Sequence, residues 1–219
     1  MPSIDLEVPY HDKELAKAAG ARWDVRRKVW YVVYRDDLTP FAKWLPQPSR
    51  INHRSDSYVL LESRRDCWKC ARETRVFGIA MPRGHEQLEE SSPELEFSSD
   101  TEYQAWLDGP DAIQWVAQDT ATVLSYVTHL SESALSRIQS LTMRYRKDYS
   151  SVTGTRYFMN HCEHCDAKLG DFETIEEFDA PLRPIGTESA SRLMLYPMNE
   201  RLEADASSTP LNAGDLDCG

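Results

Sequence analysis

The sequence contains no apolar run approaching the roughly 20 residues that a membrane-spanning helix needs. Its N-terminal segment, MPSIDLEVPYHDKEL, also lacks a basic stretch followed by an apolar one, so we expect no secretory signal. We therefore expect a cytoplasmic protein that has no membrane partner.

Motifs of the common enzyme classes are also absent. The sequence has no Gly-rich phosphate-binding loop, no Gly-x-Ser-x-Gly turn and no His-Glu-x-x-His helix. His53, His85 and His129 are isolated from one another along the chain, and we expect them at the surface or in the core. The sequence therefore predicts a protein without catalytic activity.

Basic residues are in the minority. The 219 residues include 25 Lys and Arg against 36 Asp and Glu, which gives a formal net charge of -11. Such a surface does not suit extensive wrapping of nucleic acid, because phosphate binding depends on Lys and Arg. Much of the acidic excess lies in an insert at residues 86–102 and in the C-terminal segment. We expect the insert to favour a basic protein partner, such as a toxin.

Cysteine is scarce, but four of the five cysteines form two Cys-x-x-Cys pairs. Cys67 and Cys70 follow one predicted strand, and Cys162 and Cys165 follow another. Together the two pairs predict a closed tetrahedral Zn²⁺ site with four thiolate ligands and no open position for catalysis. Their use as ligands also fits a reducing compartment. The long interval between the pairs is interpreted as a subdomain inserted into the connecting loop of a zinc ribbon.

Other interpretations of this motif stay open at the level of sequence. The four cysteines could be buried free thiols, or CWKC could be a redox pair, although it lies in no evident strand–turn–helix context. His161 and His164 each precede a cysteine in NHCEHCD and are alternative ligands, although a histidine in such a turn usually points away from the metal. Cys218 is interpreted as a spare thiol.

The pattern of apolar residues predicts an α+β fold, in which a small N-terminal α/β module precedes a zinc-ribbon-like domain with a long insertion. Residues 1–48 are predicted to be a βαβ-like module, with a helix that begins near Asp12 and a β-prone VWYVVY segment. Residues 55–182 should form the zinc-ribbon-like domain, which includes an inserted helical and acidic subdomain. Residues 183–219 are expected to be a largely disordered acidic tail.

A basic edge lies beside aromatic residues in GARWDVRRKVWYV. Arg22, Arg26, Arg27 and Lys28 could contact phosphate, while the neighbouring aromatic residues could stack on bases. A solvated turn beside a core formed by Trp23, Trp30 and Tyr31 is the alternative interpretation.

The stretch VPYHDKELAKAAGARWDVRRKVWYV resembles a small domain of unknown function that occurs in bacterial and plasmid proteins, including conjugative-transfer primases. It is also distantly similar to the fork-binding modules of annealing helicases. The rest of the chain, with CWKC and TGTRYFMNHCEHC, resembles uncharacterised bacterial zinc-ribbon proteins. The first resemblance implies a role linked to nucleic acid.

Two functional hypotheses follow. In the first, the chain is a non-enzymatic, zinc-stabilised bacterial protein that binds DNA, RNA or a nucleic-acid-processing complex through the N-terminal basic edge. In the second, it is an acidic inhibitor of the immunity type, which captures a basic protein such as a toxin through residues 86–102.

Overall fold

The computed structural model describes residues 3–27, 29–33, 37–46, 50–90, 98–107, 109, 112–185 and 187–211. Lys28 and residues 91–97 of the acidic insert, for which the sequence predicts binding roles, lie outside the described residues. The chain divides into two compact units, the first comprising residues 1–49 with 149–156 and the second residues 50–148 with 157–219. No helix among the described residues is long and apolar enough to cross a membrane.

The first unit contains a small antiparallel sheet and short helices. Its elements are β1 (Ser3–Leu6), a 3₁₀ turn (Tyr10–Asp12), α1 (Lys13–Ala18), β2 (Arg22–Asp24), β3 (Val29–Val33) and a second 3₁₀ segment (Thr39–Trp44). The strand order is β1-β3-β2, and both strand pairs are antiparallel. The predicted βαβ-like arrangement, which requires parallel strands, is therefore wrong. The reason is that RWD forms a strand that pairs back on β3.

The core of the first unit explains why a sheet this small can form. Leu6, Val32 and Phe41 are each no more than 2% exposed, and Trp44 packs against the same cluster. Asp12 precedes α1 as predicted but does not cap the helix; its carboxylate instead accepts the indole N–H of Trp44 at 2.9 Å. This bond ties the start of α1 to the last helical segment of the unit.

The second unit is dominated by β-structure. Its strands are β4 (His53–Ser55), β5 (Tyr58–Asp66), β6 (Glu73–Met81), β7 (Glu86–Glu90), β8 (Ile113–Ala117), β9 (Thr122–Leu130), β10 (Tyr145–Tyr149), β11 (Arg156–His161), β12 (Lys168–Leu169), β13 (Met194–Met198) and β14 (Leu202–Pro210). The helices are α2 (Asp100–Leu107), α3 (Glu132–Leu141) and α4 (Thr187–Ala190), and a π-helical turn spans Phe172–Glu176. Eight strands form one sheet in the order β13-β5-β6-β9-β14-β4-β7-β8, and β10-β11-β12 form another.

The predicted α+β fold, with a zinc-ribbon-like domain and a long insertion, is wrong because the segment between the two cysteine pairs builds the main sheet. It supplies β6, β7, β8 and β9, all in antiparallel pairing. Part of the acidic insert, EQLEE, is strand β7. Its polar composition is typical of a loop, but a strand near the end of a sheet need not be apolar.

The expected disorder of the tail is also wrong for much of its length. Residues 194–198 pair with β5, and residues 202–210 pair with both β4 and β9. In LEADASSTP the buried residues Leu202, Ala204 and Ala206 alternate with more exposed polar ones. The alternation has the period of a strand, but the small alanines give the segment the low hydrophobicity of a disordered tail.

The central strands β5, β6 and β9 of the eight-stranded sheet are buried on both faces. In β5, Tyr58 and Leu60 point into one hydrophobic cluster, while Val59 and Leu61 point into another. The first cluster is covered by α3 through Ile138. The second contains all four paired cysteines and the apolar residues of the segment that follows them. The cysteine site is therefore built against one face of the central sheet.

Candidate metal centre and nucleic-acid surface

Two hairpin turns carry the four cysteines. Cys67 follows β5 and Cys70 precedes β6, so this pair occupies the β5–β6 turn. Cys162 follows β11 and Cys165 precedes β12, so the second pair occupies the β11–β12 turn. The strand-then-turn pattern that the sequence predicts for both motifs is present.

The two turns repeat the same backbone design. In the first, the N–H of Ala71 donates to the carbonyl of Cys67 at 2.9 Å, and in the second, Asp166 donates to Cys162 at 3.0 Å. Ala71 and Asp166 both adopt a left-handed conformation, with φ of 55° and 59°. The sulfur of the first cysteine in each turn also accepts a backbone N–H at 3.4 Å, from Lys69 or His164. Each bond fixes the sulfur of the first cysteine against its own turn, and the bond from His164 also favours the ionised form of Cys162.

The structure brings the four predicted cysteine ligands together. All four sulfur atoms lie within 4.8 Å of one another. The Sγ atoms of Cys67 and Cys165 are 3.6 Å apart, and those of Cys70 and Cys162 are 3.7 Å apart. A tetrahedral ion with sulfur ligands at about 2.3 Å places those sulfurs about 3.8 Å apart, whereas a disulfide joins them at about 2.0 Å. The four thiols therefore fit a metal ion and are not disulfide-bonded.

Without a cation, the cluster cannot ionise all of its thiols. Burial opposes ionisation of Cys162, but the backbone N–H groups of His164 and Cys165 and the neighbouring thiols lower its pKa to about 6. The N–H of Ala167 favours ionisation of Cys165, but burial and the adjacent sulfurs raise its pKa to about 12. A bound divalent cation would remove this conflict, because it stabilises every thiolate that it contacts.

The two histidines of NHCEHCD are outside the ligand set. His161 is buried, and its ring nitrogens lie 3.1 Å from the carbonyl of Arg144 and 3.2 Å from Asp148. His164 places Nε2 at 2.8 Å from the carbonyl of Glu73. Both rings thus have polar partners of their own, and among the described residues the group that could hold a metal consists of the four cysteines.

Asn160 connects the second cysteine turn to β6 in a way that sequence reasoning missed. Its side-chain amide accepts the N–H of Phe77 and donates to the carbonyl of the same residue, both at 2.8 Å. Asn160 is 1% exposed. Beside it, Glu163 receives two bonds from the guanidinium of Arg75, at 2.8 and 3.0 Å. The sequence signal for this role was the position of Asn160, a polar residue at the end of the otherwise apolar run YFMN.

The basic edge predicted in the first unit is only partly available for a ligand. Arg27 contacts Asp5 at 2.9 Å and Asp24 at 3.0 Å, so its charge is balanced within the unit. Asp24 also accepts the backbone N–H groups of Arg26 and Arg27, which, with the Arg27 side chain, hold the pKa of its carboxyl below the usual range. The side chains of Arg22 and Arg26 are exposed and form no ion pair with the described residues.

Comparisons with known proteins support the N-terminal resemblance. Residues 3–46 match the family described as "Domain of unknown function (DUF5710)". Two proteins of Escherichia coli, both described as "DNA primase TraC", are also similar. One is 30% identical over 115 residues, which cover 49% of this chain and 10% of the relative. The other is 51% identical over 39 residues, which cover 18% of this chain and 3% of the relative.

These matches confirm the predicted likeness of the N-terminus to a domain of conjugative-transfer primases. The 115-residue match is longer than the matched domain, so it necessarily includes residues outside 3–46. The chain spans at most about a tenth of the length of these relatives. No solved structure matches the chain, and the predicted resemblance of the remainder to zinc-ribbon proteins has no family match behind it.

Proposed function

We propose that this chain is a zinc-stabilised bacterial protein that binds nucleic acid, or a nucleic-acid-processing complex, through its first unit. The observation that carries the proposal is the similarity of residues 3–46 to a family domain and of a longer stretch to DNA primase TraC. The exposed cations Arg22 and Arg26 supply charge of the right sign for phosphate. A role related to conjugation follows from the nature of these relatives.

The metal in this proposal is Zn²⁺. Four thiolates in paired Cys-x-x-Cys turns are the usual ligand set of structural zinc, and the sulfur separations of 3.6 and 3.7 Å suit its bond length. Cys67, Cys70, Cys162 and Cys165 would hold the ion, which would cross-link the two hairpin turns. A site closed by four thiolates supplies stability and no catalytic chemistry.

Elemental analysis of the purified chain tests the zinc assignment. We expect about one zinc per chain, its loss in Cys162→Ser, and its retention in Cys218→Ser, which changes the cysteine outside both pairs. Chelation should lower the midpoint of urea unfolding of the wild-type chain, because metal binding is coupled to folding. A metal-free chain that unfolds at the same urea concentration with and without chelator would refute the assignment.

Oligonucleotide binding tests the nucleic-acid assignment. We expect affinity that falls steeply with added salt, because release of counterions from phosphate drives the binding. The double variant Arg22→Gln/Arg26→Gln should bind more weakly than the wild type. Absence of binding to DNA and to RNA at low salt would remove this part of the proposal.

The acidic insert gives a second candidate function, the capture of a basic protein. The net charge of -11 favours this function. Two acidic residues in the described part of the insert, however, are already bonded within the chain. Glu86 pairs with Arg54 at 2.6 Å, and Glu89 accepts a bond from Gln118 at 2.7 Å. A pull-down from the native host tests this candidate, which loses its support if no basic protein is recovered.

A further inference from the structure

The first unit contains a cleft of about 730 Å³ whose lining residues all belong to that unit. Its walls combine exposed aromatic rings with cations. Trp23 is 46% exposed and Tyr10 is 75% exposed, whereas large aromatic side chains normally bury most of their surface. We infer that this cleft binds single-stranded nucleic acid, with a base stacked on Trp23 and phosphates held by Lys13, Lys17 and Arg22. The inference rests on the proposed function and makes it more specific.

The strand register explains why Trp23 is exposed. Trp23 lies opposite Trp30, and Trp30 lies opposite Leu6, so the three side chains share one face of the small sheet. Leu6 is buried in the core, but β2 is an edge strand, and its tryptophan projects beyond the core. The rings of Trp23 and Trp30 are 5.6 Å apart at an angle of 57°. Trp30 thus supports one side of the Trp23 ring.

The charges around the cleft suit a polyanion. Lys13 and Lys17 are one turn apart in α1 and lie on the same side of the helix. Lys17 and Arg22 form no ion pair with the described residues. The ammonium group of Lys13 donates to the hydroxyl of Tyr10 at 2.9 Å and lies 4.1 Å from the centre of its ring. Glu7 and Glu14 also line the cleft, but the cations outnumber them in a chain whose net charge is -11.

The aromatic rings favour a single strand over a duplex. A base can stack on a protein side chain only when its face is free, and in a duplex both faces are covered by neighbouring bases. Every base has such a face, so the cleft would bind with little sequence preference.

Fluorescence anisotropy with the full chain tests the inference. The probes are labelled oligothymidylate, oligouridylate and a blunt DNA duplex, and the two single strands distinguish DNA from RNA as the source of the shared chemistry. Stacking of one base predicts that Trp23→Leu binds the single strands at least about five-fold more weakly, and that Trp23→Phe restores most of the loss. Phe178→Leu, which alters an exposed aromatic residue of the second unit, should bind as the wild type does.

Salt dependence and a second variant complete the test. Lys17→Gln should reduce the slope of log affinity against log salt by about 0.7, the contribution of one phosphate contact in a single strand. Tyr10→Leu tests the cleft independently if Trp23→Leu fails to fold, because Tyr10 is largely exposed. Wild-type affinity in both aromatic variants, or preference for the duplex, would overturn the inference and leave the proposed function intact. No binding of any probe by the wild type would overturn both this inference and the direct binding of nucleic acid in the proposed function.

Discussion

Asp171 is a buried carboxyl group whose ionisation should weaken the second unit. It is 2% exposed, and its Oδ2 accepts the backbone N–H of Tyr126 at 2.6 Å. Its Oδ1 is buried without a hydrogen-bond partner among the described residues. Burial, the largest effect, raises the pKa of Asp171 to about 7; the N–H of Tyr126 acts in the opposite direction, and the charge of Glu176 adds to the increase.

The sign and size of the effect follow from this shift. An unfolded aspartate titrates near 3.9, so between about pH 4 and pH 7 the folded chain retains a proton that the unfolded chain has lost. The free energy of unfolding therefore decreases as pH rises through this window. A displacement of about 3 pK units at 1.36 kcal/mol each makes the decrease about 4 kcal/mol. Asp171→Asn removes the titration but keeps an oxygen for Tyr126.

Urea unfolding, followed by tryptophan fluorescence, measures this effect. We expect Asp171→Asn and wild type to have similar stability at about pH 4 and below, and the variant to be more stable near pH 8. The difference between the two chains isolates Asp171, because every other ionisable group is present in both. Asp119→Asn, at an exposed position, is the matched control and should show no such trend. A difference between variant and wild type that stays constant with pH would refute the reasoning.

Three further predictions concern other parts of the chain. Asn160→Leu should lower the free energy of unfolding by about 2–4 kcal/mol, because the buried N–H and carbonyl of Phe77 both lose their partner; unchanged urea unfolding would contradict this. Burial, aided by the charge of His85, lowers the pKa of His53 to about 4. Neutral His53 therefore contributes stability that is fully present above about pH 6.5 and is lost as pH falls to about 4. His53→Gln should flatten this acid limb in unfolding curves, and an unaltered limb would count against it. Arg27→Gln should reduce oligonucleotide affinity less than Arg26→Gln, because the Arg27 charge is already paired with Asp5 and Asp24; equal losses in anisotropy would show otherwise.

The local turns were the most predictable part of the fold. Gly20 follows α1 with φ of 101°, as glycine does at the left-handed C-terminal end of a helix. The apolar spacing of SESALSRIQSLTMRY predicts a helix, and the structure has one over Glu132–Leu141, with Ala134 and Ile138 buried on one side. The convergence of the two cysteine pairs was predictable because the chemistry of a four-thiolate site demands it. These features depend on residues close in sequence or on a motif with a strict chemical requirement.

The main sheet was not predictable in the same way, because some of its strands lack the apolar and β-branched composition typical of strands. Strand β7 is acidic, and strand β14 uses alanine at its buried positions. Both strands form by pairing with segments distant in sequence; Leu202 of β14, for example, pairs with Ser55 of β4. The role of Asn160 also requires a partner 83 residues away, Phe77, that no local pattern identifies.

The position of β14 has a consequence for folding during synthesis. Although it spans Leu202–Pro210, it lies in the interior of the sheet, between β9 and β4. A ribosome-bound chain that has not yet released this segment can form the β5–β6 hairpin but must leave β9 and β4 without their shared neighbour. A chain truncated before Leu202 would have the same two unpaired edges, which are sites for aggregation and recognition by quality-control proteases. Synthesis of β14 is thus the step that covers the facing edges of β9 and β4.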